Sequence, residues 1–199
     1  VNNDPNQTRV FVATGDGRAV GDPQRPSGTT SRGIGFLRSL DGGATWELLD
    51  STNNNLPFAQ RNHFFAAGNG TTAFRLVADP KLTPGGQVIL YAALADLDPF
   101  GEINYLGTRG GLWRSLDSGT TWTRLRAGQA SDVVLDPLSG TGSPDGSLQF
   151  LYAAFQNDGI YFSNNRGDDL LTLPGGVGKP LVQNIDFAQP QPTQAVTPL

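Results

Sequence analysis

Several residue types are absent or scarce in this sequence, and each gap excludes a class of function. Cysteine is absent, which excludes disulfides, zinc–thiolate sites and cysteine nucleophiles. The single histidine, His63, cannot build a histidine metal site by itself. No apolar run approaches the roughly 20 residues of a membrane span. The net charge of −4, with no concentrated basic segment, excludes an obvious nucleic-acid partner.

What the sequence has instead is turn-forming residues between short apolar runs. It contains 26 Gly and 14 Pro, which break helices and make turns, and 37% hydrophobic residues, which argues against disorder. Three stretches share one order of features, in which an Asp-Pro pair, an apolar run and a glycine-led run precede a tight turn. The Asp-Pro pairs are Asp4-Pro5, Asp79-Pro80 and Asp136-Pro137, the apolar runs are 9–14, 88–93 and 150–155, and the glycine-led runs are 33–39, 111–115 and 159–163. Such runs predict β-strands.

Two octapeptides with the spacing Ser-x-Asp-x-Gly-x-Thr-Trp mark the tight turns. We call residues 39–46 the first turn, 115–122 the second turn and 163–170 the third turn, which keeps Ser and Gly but lacks Asp and Trp. Asp can accept backbone N–H groups, Gly adopts positive φ easily, and Trp can cover a hairpin, so we predict a structural role. The residues concerned are Ser39, Asp41, Gly43, Thr45 and Trp46, and Ser115, Asp117, Gly119, Thr121 and Trp122.

The octapeptide resembles the Asp-box, or bacterial neuraminidase repeat, of the Asp-box β-propeller superfamily. The segment 111–122 is most similar to blades of xyloglucanase-like and sortilin-like proteins. The resemblance implies an all-β propeller of four-stranded antiparallel blades, with the octapeptide between the third and fourth strands. About three to four blades are expected in this chain. Because propellers typically need at least about four, these blades are expected to form a partial ring. Relatives include sialidases, receptors and assembly factors, so the implied fold does not give the function.

The resemblance also implies a domain organisation. It covers roughly residues 1–188, with the first blade truncated and a polar insertion at 51–72, and the Pro/Gln-rich residues 189–199 are expected to be a tail or linker. Because methionine is absent, Val1 is not a translation start, and we expect a processed chain or a segment of a longer protein. Further blades are expected from the same parent protein or a partner chain, since an open fan exposes apolar surface and strand edges.

One acidic loop carries the candidate chemistry. Asp96, Asp98 and Glu102 follow an apolar run, and Phe100 and Tyr105 are available to stack on a sugar. Glycosidases need two carboxylates, so these acids are the catalytic candidates, and a solvated acidic loop is the alternative reading. Asp96 and Asp98 also fit two positions of an EF-hand, which makes calcium the one cofactor considered, but the later positions of that motif do not match.

Other partial motifs are read as structural. The Gly15–Gly21 segment imitates a dinucleotide loop without a following helix, and Asp16 with Asp22 is a further calcium candidate. Arg166-Gly-Asp168 is the adhesion tripeptide, but it falls on the third turn. The segment Phe74–Val77 imitates a sialidase motif without its Pro and after the first turn, so sialidase activity is not predicted.

Two functions remain open from the sequence. The first is a non-catalytic binding or scaffolding propeller segment of a larger secreted or cell-surface protein, with a protein or polysaccharide ligand. It is favoured because the turn motifs are intact and no catalytic set is recognisable. The alternative is a glycoside hydrolase of the xyloglucanase-like kind acting on β-glucans, which the blade resemblance and the acidic, aromatic loop at 96–105 favour.

Overall fold

The described chain is built from strands and the turns between them. The structure is a computed structural model and describes residues 8–15, 33–65, 70–97, 108–140, 146–168, 172–173 and 176–177. Within these ranges the only helical element is a 3₁₀ helix at Phe58–Gln60, so the all-β prediction is confirmed. The strands are β1 (Val10–Ala13), β2 (Phe36–Ser39), β3 (Glu47–Leu49), β4 (Thr71–Leu82), β5 (Val88–Asp96), β6 (Gly111–Ser115), β7 (Thr123–Ala127), β8 (Ala130–Leu135), β9 (Leu151–Phe155), β10 (Gly159–Ser163), β11 (Thr172–Leu173) and β12 (Gly176–Val177).

The strands pair antiparallel with their neighbours along the chain. Sheet I has the order β1-β2-β3, sheet II the order β4-β5-β6-β7 and sheet III the order β8-β9-β10, while β11 and β12 form a short ribbon. The first turn joins β2 to β3, the second joins β6 to β7, and the third begins at the end of β10. Antiparallel neighbours need only short connections, which explains the meander. The described strands do not close into a barrel or ring.

Strand β5 forms the centre of the molecule, because all nine of its residues are buried. Its side chains alternate between the two faces of sheet II, as the period of a strand requires. Ile89, Tyr91 and Ala93 pack in a core shared with sheet III. Leu90 and Leu94 pack in a second core shared with sheet I. Sheet II therefore lies between sheets I and III, and the sheets stack in chain order.

The segment between sheets I and II belongs to the second core. Phe64 and Phe65 are buried, and Phe64 stacks on Trp113 with ring centroids 5.0 Å apart. Asn54 is buried as well, and its N–H donates to Thr120 O at 2.8 Å. Residues 51–65 of the predicted insertion are therefore docked on sheet II, and Thr71 and Thr72 at its end already belong to β4.

Candidate functional site

The second turn is organised around one carboxylate. Asp117 Oδ1 accepts hydrogen bonds from Thr121 N and Ser115 Oγ, both at 2.8 Å, and Oδ2 accepts one from the Thr121 hydroxyl at 2.6 Å. Ser115 Oγ accepts the Gly119 N–H at 2.8 Å, and Trp122 Nε1 donates to Gly119 O at 2.9 Å. Both oxygens of Asp117 are thus occupied within the turn, which gives the motif a local structural role.

The first turn has the same bonds at matching positions. Asp41 Oδ1 accepts from Thr45 N at 2.9 Å and Ser39 Oγ at 2.8 Å, and Oδ2 accepts from the Thr45 hydroxyl at 2.5 Å. Gly43 N donates to Ser39 Oγ at 2.8 Å, and Trp46 Nε1 donates to Gly43 O at 2.9 Å. The Thr45 hydroxyl and N–H, followed by the Ser39 hydroxyl, lower the pKa of Asp41 from 3.8 to about 2.

The third turn keeps the backbone shape of the other two. Ser163 Oγ donates to Asn165 Oδ1 at 2.8 Å and accepts the Gly167 N–H at 2.9 Å. Gly167 has φ of +89°, close to the +86° of Gly119. Arg166 has φ of +62°, which few non-glycine residues adopt. The adhesion-like tripeptide that starts at Arg166 therefore lies in a tight turn.

The two tryptophans of the full octapeptides differ in burial. Trp122 is only 5% exposed and stacks on Phe36 of sheet I, with ring centroids 4.8 Å apart. Trp46 is 48% exposed. The difference follows from the stacking order, because sheet I packs over the second turn and no described sheet packs over the first.

An arginine joins sheet I to the second turn. Arg38, which directly precedes the first turn, donates to Ser118 O at 2.8 Å and to Thr120 Oγ1 at 2.9 Å. Its other terminal nitrogen pairs with Glu47 on β3 at 2.5 Å. The guanidinium therefore links two strands of one sheet to the turn of the next. Glu47 is half-exposed in this pair.

Sheet II reaches the third turn in the same way. Arg114, which directly precedes the second turn, donates to Arg166 O at 2.7 Å and pairs with Asp168 at 2.8 Å. These acceptors occupy the same turn positions as those of Arg38. Neither arginine was predicted from the sequence, although an Arg directly before Ser in both full octapeptides is a usable signal. Phe162 occupies this position before the third turn.

Tyr91 and Tyr152 occupy matching positions in sheets II and III. Tyr91 lies opposite Arg114, and Tyr152 lies opposite Phe162. Tyr91 is fully buried against sheet III and its hydroxyl donates to Arg166 O at 3.3 Å, and burial raises the pKa of the phenol. Tyr152 is 39% exposed. Sheet III covers the face of sheet II that carries Tyr91. The corresponding face of sheet III, which carries Tyr152, is not covered by any described sheet.

The open face of sheet III is an apolar row across all its strands. Val134 of β8 lies opposite Tyr152 of β9, which lies opposite Phe162 of β10. Phe162 contacts the rings of Tyr152 and Phe150, with centroids 5.1 and 5.4 Å away. Val134 and Phe150 are also exposed. We call Val134, Phe150, Tyr152 and Phe162 the sheet III patch.

Sheet I has an open apolar face at the opposite end of the stack. Val12 lies opposite Leu37, which lies opposite Leu48, and both Val12 and Leu48 are exposed. The matching row of sheet II, which contains Ala92 and Trp113, packs in the core shared with sheet I. Each end of the stack therefore exposes a row of apolar side chains, and the matching rows between the sheets are buried.

Of the three candidate acids, Asp96 is the one within the described residues. It ends β5, its side chain is buried, and Oδ2 accepts the N–H groups of Arg109 and Gly110 at 2.9 and 2.7 Å. Oδ1 accepts the hydroxyl of Thr71 at 3.4 Å. The carboxylate thus ties β4 and the residues before β6 to β5.

The other acids of that loop and the further calcium candidates have no described position. Lying outside the described residues are Asp98, Phe100, Glu102, Tyr105, Asp16 and Asp22. Among the described residues, no group of three or more His, Cys, Asp or Glu side chains could hold a metal ion.

His63 and Arg75 both have polar partners. His63 Nδ1 lies 2.9 Å from Asp50 Oδ2, and Arg61 pairs with the other oxygen of Asp50 at 3.3 Å. Arg75 lies on β4 and pairs with Asp132 at 3.8 Å, with both side chains half-exposed. These contacts hold neighbouring segments together without assembling a nucleophile and a base.

No protein-family model matches the chain, and no curated protein matches it. In the described part of the chain, no helix is long and apolar enough to cross a membrane. Function therefore has to be argued from the geometry of the turns, the sheet faces and the clefts between them.

Proposed function

We propose that this chain is a segment of three to four blades of an Asp-box β-propeller, with a non-catalytic binding or scaffolding role in a larger secreted or cell-surface protein. Sheets I, II and III are the blades, and the two full octapeptides are Asp-boxes. The proposal is supported by the matching hydrogen bonds around Asp41 and Asp117 and by the stacking of the sheets in chain order. Propellers are built from such meandering sheets in radial order.

The observation that carries the proposal is the contrast between Tyr91 and Tyr152. The two residues match in register, but Tyr91 is buried by the next sheet and Tyr152 is exposed. A propeller requires this surface to be covered by a further blade, and the open face of sheet I requires one as well. Exposed apolar patches of this kind mark interaction sites in soluble proteins.

The contacts of Asp96 support binding over hydrolysis in this proposal. Asp96, the one candidate acid in the described part, has its oxygens occupied by backbone and hydroxyl donors. We therefore expect no release of reducing ends when the 199-residue chain is incubated with a panel of β-glucans. Turnover that disappears in Asp98→Asn or Glu102→Gln would instead establish the glycoside hydrolase alternative.

The blade arrangement is tested by the association of the chain through its open faces. Sedimentation velocity of the 199-residue chain should show assembly that depends on concentration and weakens in Tyr152→Lys. Leu138→Lys is the matched control, because Leu138 is an exposed apolar residue in the turn after β8 and lies off the sheet III patch. A chain that stays monomeric at high concentration, or that responds equally to both substitutions, would contradict the proposal.

A further inference from the structure

A cleft lies between sheet II and the segment that follows sheet I. It has a volume of about 430 Å³, and residues 52 and 62–64 line it on one side. Thr108, Arg109, Trp113 and Arg124 line it on the other. Small-molecule sites in proteins typically have volumes of about 300–1,000 Å³. The cleft, defined by these residues, is therefore large enough for a ligand of the size of one sugar.

Two arginines are among the residues that line the cleft. Arg109 and Arg124 make no ion pair with a described carboxylate, and both line the cleft. Five other arginines are each paired with an acid within 4.0 Å, namely Arg38, Arg61, Arg75, Arg114 and Arg126. The Arg124 guanidinium lies over Trp113 of the cleft, and Arg109 is a second lining arginine without a described carboxylate partner, which together favour an anionic ligand.

The position of Arg124 is fixed by its neighbours before any ligand arrives. Its guanidinium lies over the ring of Trp113, 5.6 Å from the centroid, and one terminal nitrogen donates to Thr108 O. Trp113 is held in turn by stacking on Phe64 and by a hydrogen bond of 3.0 Å from its Nε1 to Arg109 O. A guanidinium has five N–H donors, so donors remain for a carboxylate. Such preorganisation lowers the entropic cost of binding.

His63 also lines the cleft, and the protein itself engages both of its ring nitrogens. Its Nδ1 lies 2.9 Å from Asp50 Oδ2 and its Nε2 lies 3.1 Å from Phe58 O. Both neighbours are acceptor atoms of the protein, so the ring is held in place on the wall of the cleft. The polar residues Thr52 and Asn62 also line the cleft. Such groups suit a ligand that carries hydroxyls as well as a charge.

We propose that this cleft binds a small hydroxylated carboxylate, of which a sugar acid is the simplest example. The carboxylate is held by Arg124 and Arg109, and the hydroxyls are held by the polar wall at 52 and 62. This inference goes beyond the proposed blade arrangement, because the cleft is formed by one chain and does not depend on ring closure. Its failure would therefore leave the blade proposal standing, and the reverse also holds.

The experiment is an NMR titration of the 199-residue chain with galacturonate, and with galactose as a neutral ligand of the same size. The chain has three tryptophans, so their indole N–H signals report separate places, with Trp113 in the cleft and Trp46 outside it. We expect galacturonate to shift the Trp113 signal and leave Trp46 unchanged, while galactose shifts neither at the same concentration.

Substitutions then assign the binding to the two arginines. Arg124→Gln and Arg109→Gln should each raise the Kd for galacturonate about tenfold, the scale of a lost charge-assisted hydrogen bond. Arg75→Gln is the matched control, because it removes the same charge from an exposed pair on β4 and should leave the Kd unchanged. Arg124→Lys keeps the charge without the paired donors and should also weaken binding, so the test does not depend on one variant folding.

Three results would overturn the inference. The first is no saturable shift of the Trp113 signal by galacturonate. The second is sulfate binding at the same residues as tightly as galacturonate, because that would indicate a general anion effect without recognition of the organic acid. The third is an equal loss of binding in Arg75→Gln and Arg124→Gln, since only long-range charge would then be involved.

Discussion

At the scale of single residues, the protonation of Asp41 is coupled to folding. Its pKa is about 2 in the folded chain, below its ordinary value of 3.8, because the Thr45 hydroxyl and N–H and the Ser39 hydroxyl donate to the ionised form. Between these pH values the unfolded chain binds more protons than the folded one, so stability falls as pH falls. We expect the contribution of Asp41 to be complete above about pH 4 and to be lost progressively toward pH 2.

Urea unfolding of the wild-type chain and of Asp41→Asn between pH 2 and 5 measures this contribution, and the carboxyl carbon shift of Asp41 gives the pKa directly. Asp41→Asn should be the less stable protein at pH 5, and the difference between the two should shrink toward pH 2. Thr45→Val serves as a control, since it removes the hydroxyl that lowers the pKa of Asp41 most and should therefore raise that pKa. A carboxyl that titrates near pH 4 in the folded protein would contradict the prediction.

The role of a residue could be predicted from the sequence where all of its hydrogen-bond partners lie in one short segment. The bonds of Asp117 to Ser115 and Thr121 all lie within one octapeptide, so its structural role could be anticipated. Asp96 could not be judged in that way, because its partners Thr71 and Gly110 lie far from it in the sequence. A carboxylate after a strand looks the same in sequence whether it faces solvent or the residues that begin the next strand.

At the scale of elements, the second turn packs directly against β3 of the preceding sheet. A Cβ on Gly119 would lie 2.6 Å from Leu49 Cδ1, and Leu49 is fully buried and cannot move aside. Gly119 also has φ of +86°. We expect Gly119→Ala to cost about 1–2 kcal/mol for the left-handed backbone and a further cost of about 1–3 kcal/mol for overpacking.

Gly86→Ala separates these two contributions. Gly86 has a similar φ of +74°, in the turn between β4 and β5, but a Cβ there would meet nothing within 4 Å. It should therefore show the backbone cost alone, about 1–2 kcal/mol in chemical denaturation. Equal losses of unfolding free energy in the two alanine variants would mean that the second turn does not pack tightly against β3.

The presence of strands could be predicted from the sequence, whereas the burial of side chains in the connecting segments could not. The run 88–93 is apolar throughout and became part of the buried β5, as a strand covered on both faces should. The glycine-led run 33–39 became a strand only from Phe36, because Gly35 has φ of +140° outside the extended region. Phe64 and Phe65 lie in a polar segment that resembles a surface loop, and only the tertiary structure buries them.

At the scale of the whole molecule, the antiparallel pairing that the resemblance implied is observed, and the propeller itself remains a prediction. Local periodicity specifies strands, and the octapeptides specify where hairpins turn. Ring closure depends on surfaces that meet far apart in sequence, and the described sheets end in two open apolar faces. The Arg38 and Arg114 junctions indicate how one sheet aligns with the next, because each reaches the same positions of the following turn.

The last prediction concerns whether the stack unfolds as one unit. Ile89 is fully buried in the core between sheets II and III, and its neighbour Leu90 is fully buried in the core between sheets I and II. Ile89→Ala should therefore cost about 2–5 kcal/mol, as cavity-forming substitutions do. Because β5 takes part in both cores, the amides of β2 in sheet I should lose hydrogen-exchange protection by the same free energy, although Ile89 faces away from them. Val134→Ala on the open face is the control and should leave that protection within about 0.5 kcal/mol. If Ile89→Ala leaves the hydrogen-exchange protection of β2 unchanged, sheet I unfolds independently of sheet II. The contacts of Arg38 with the second turn would then contribute little to stability.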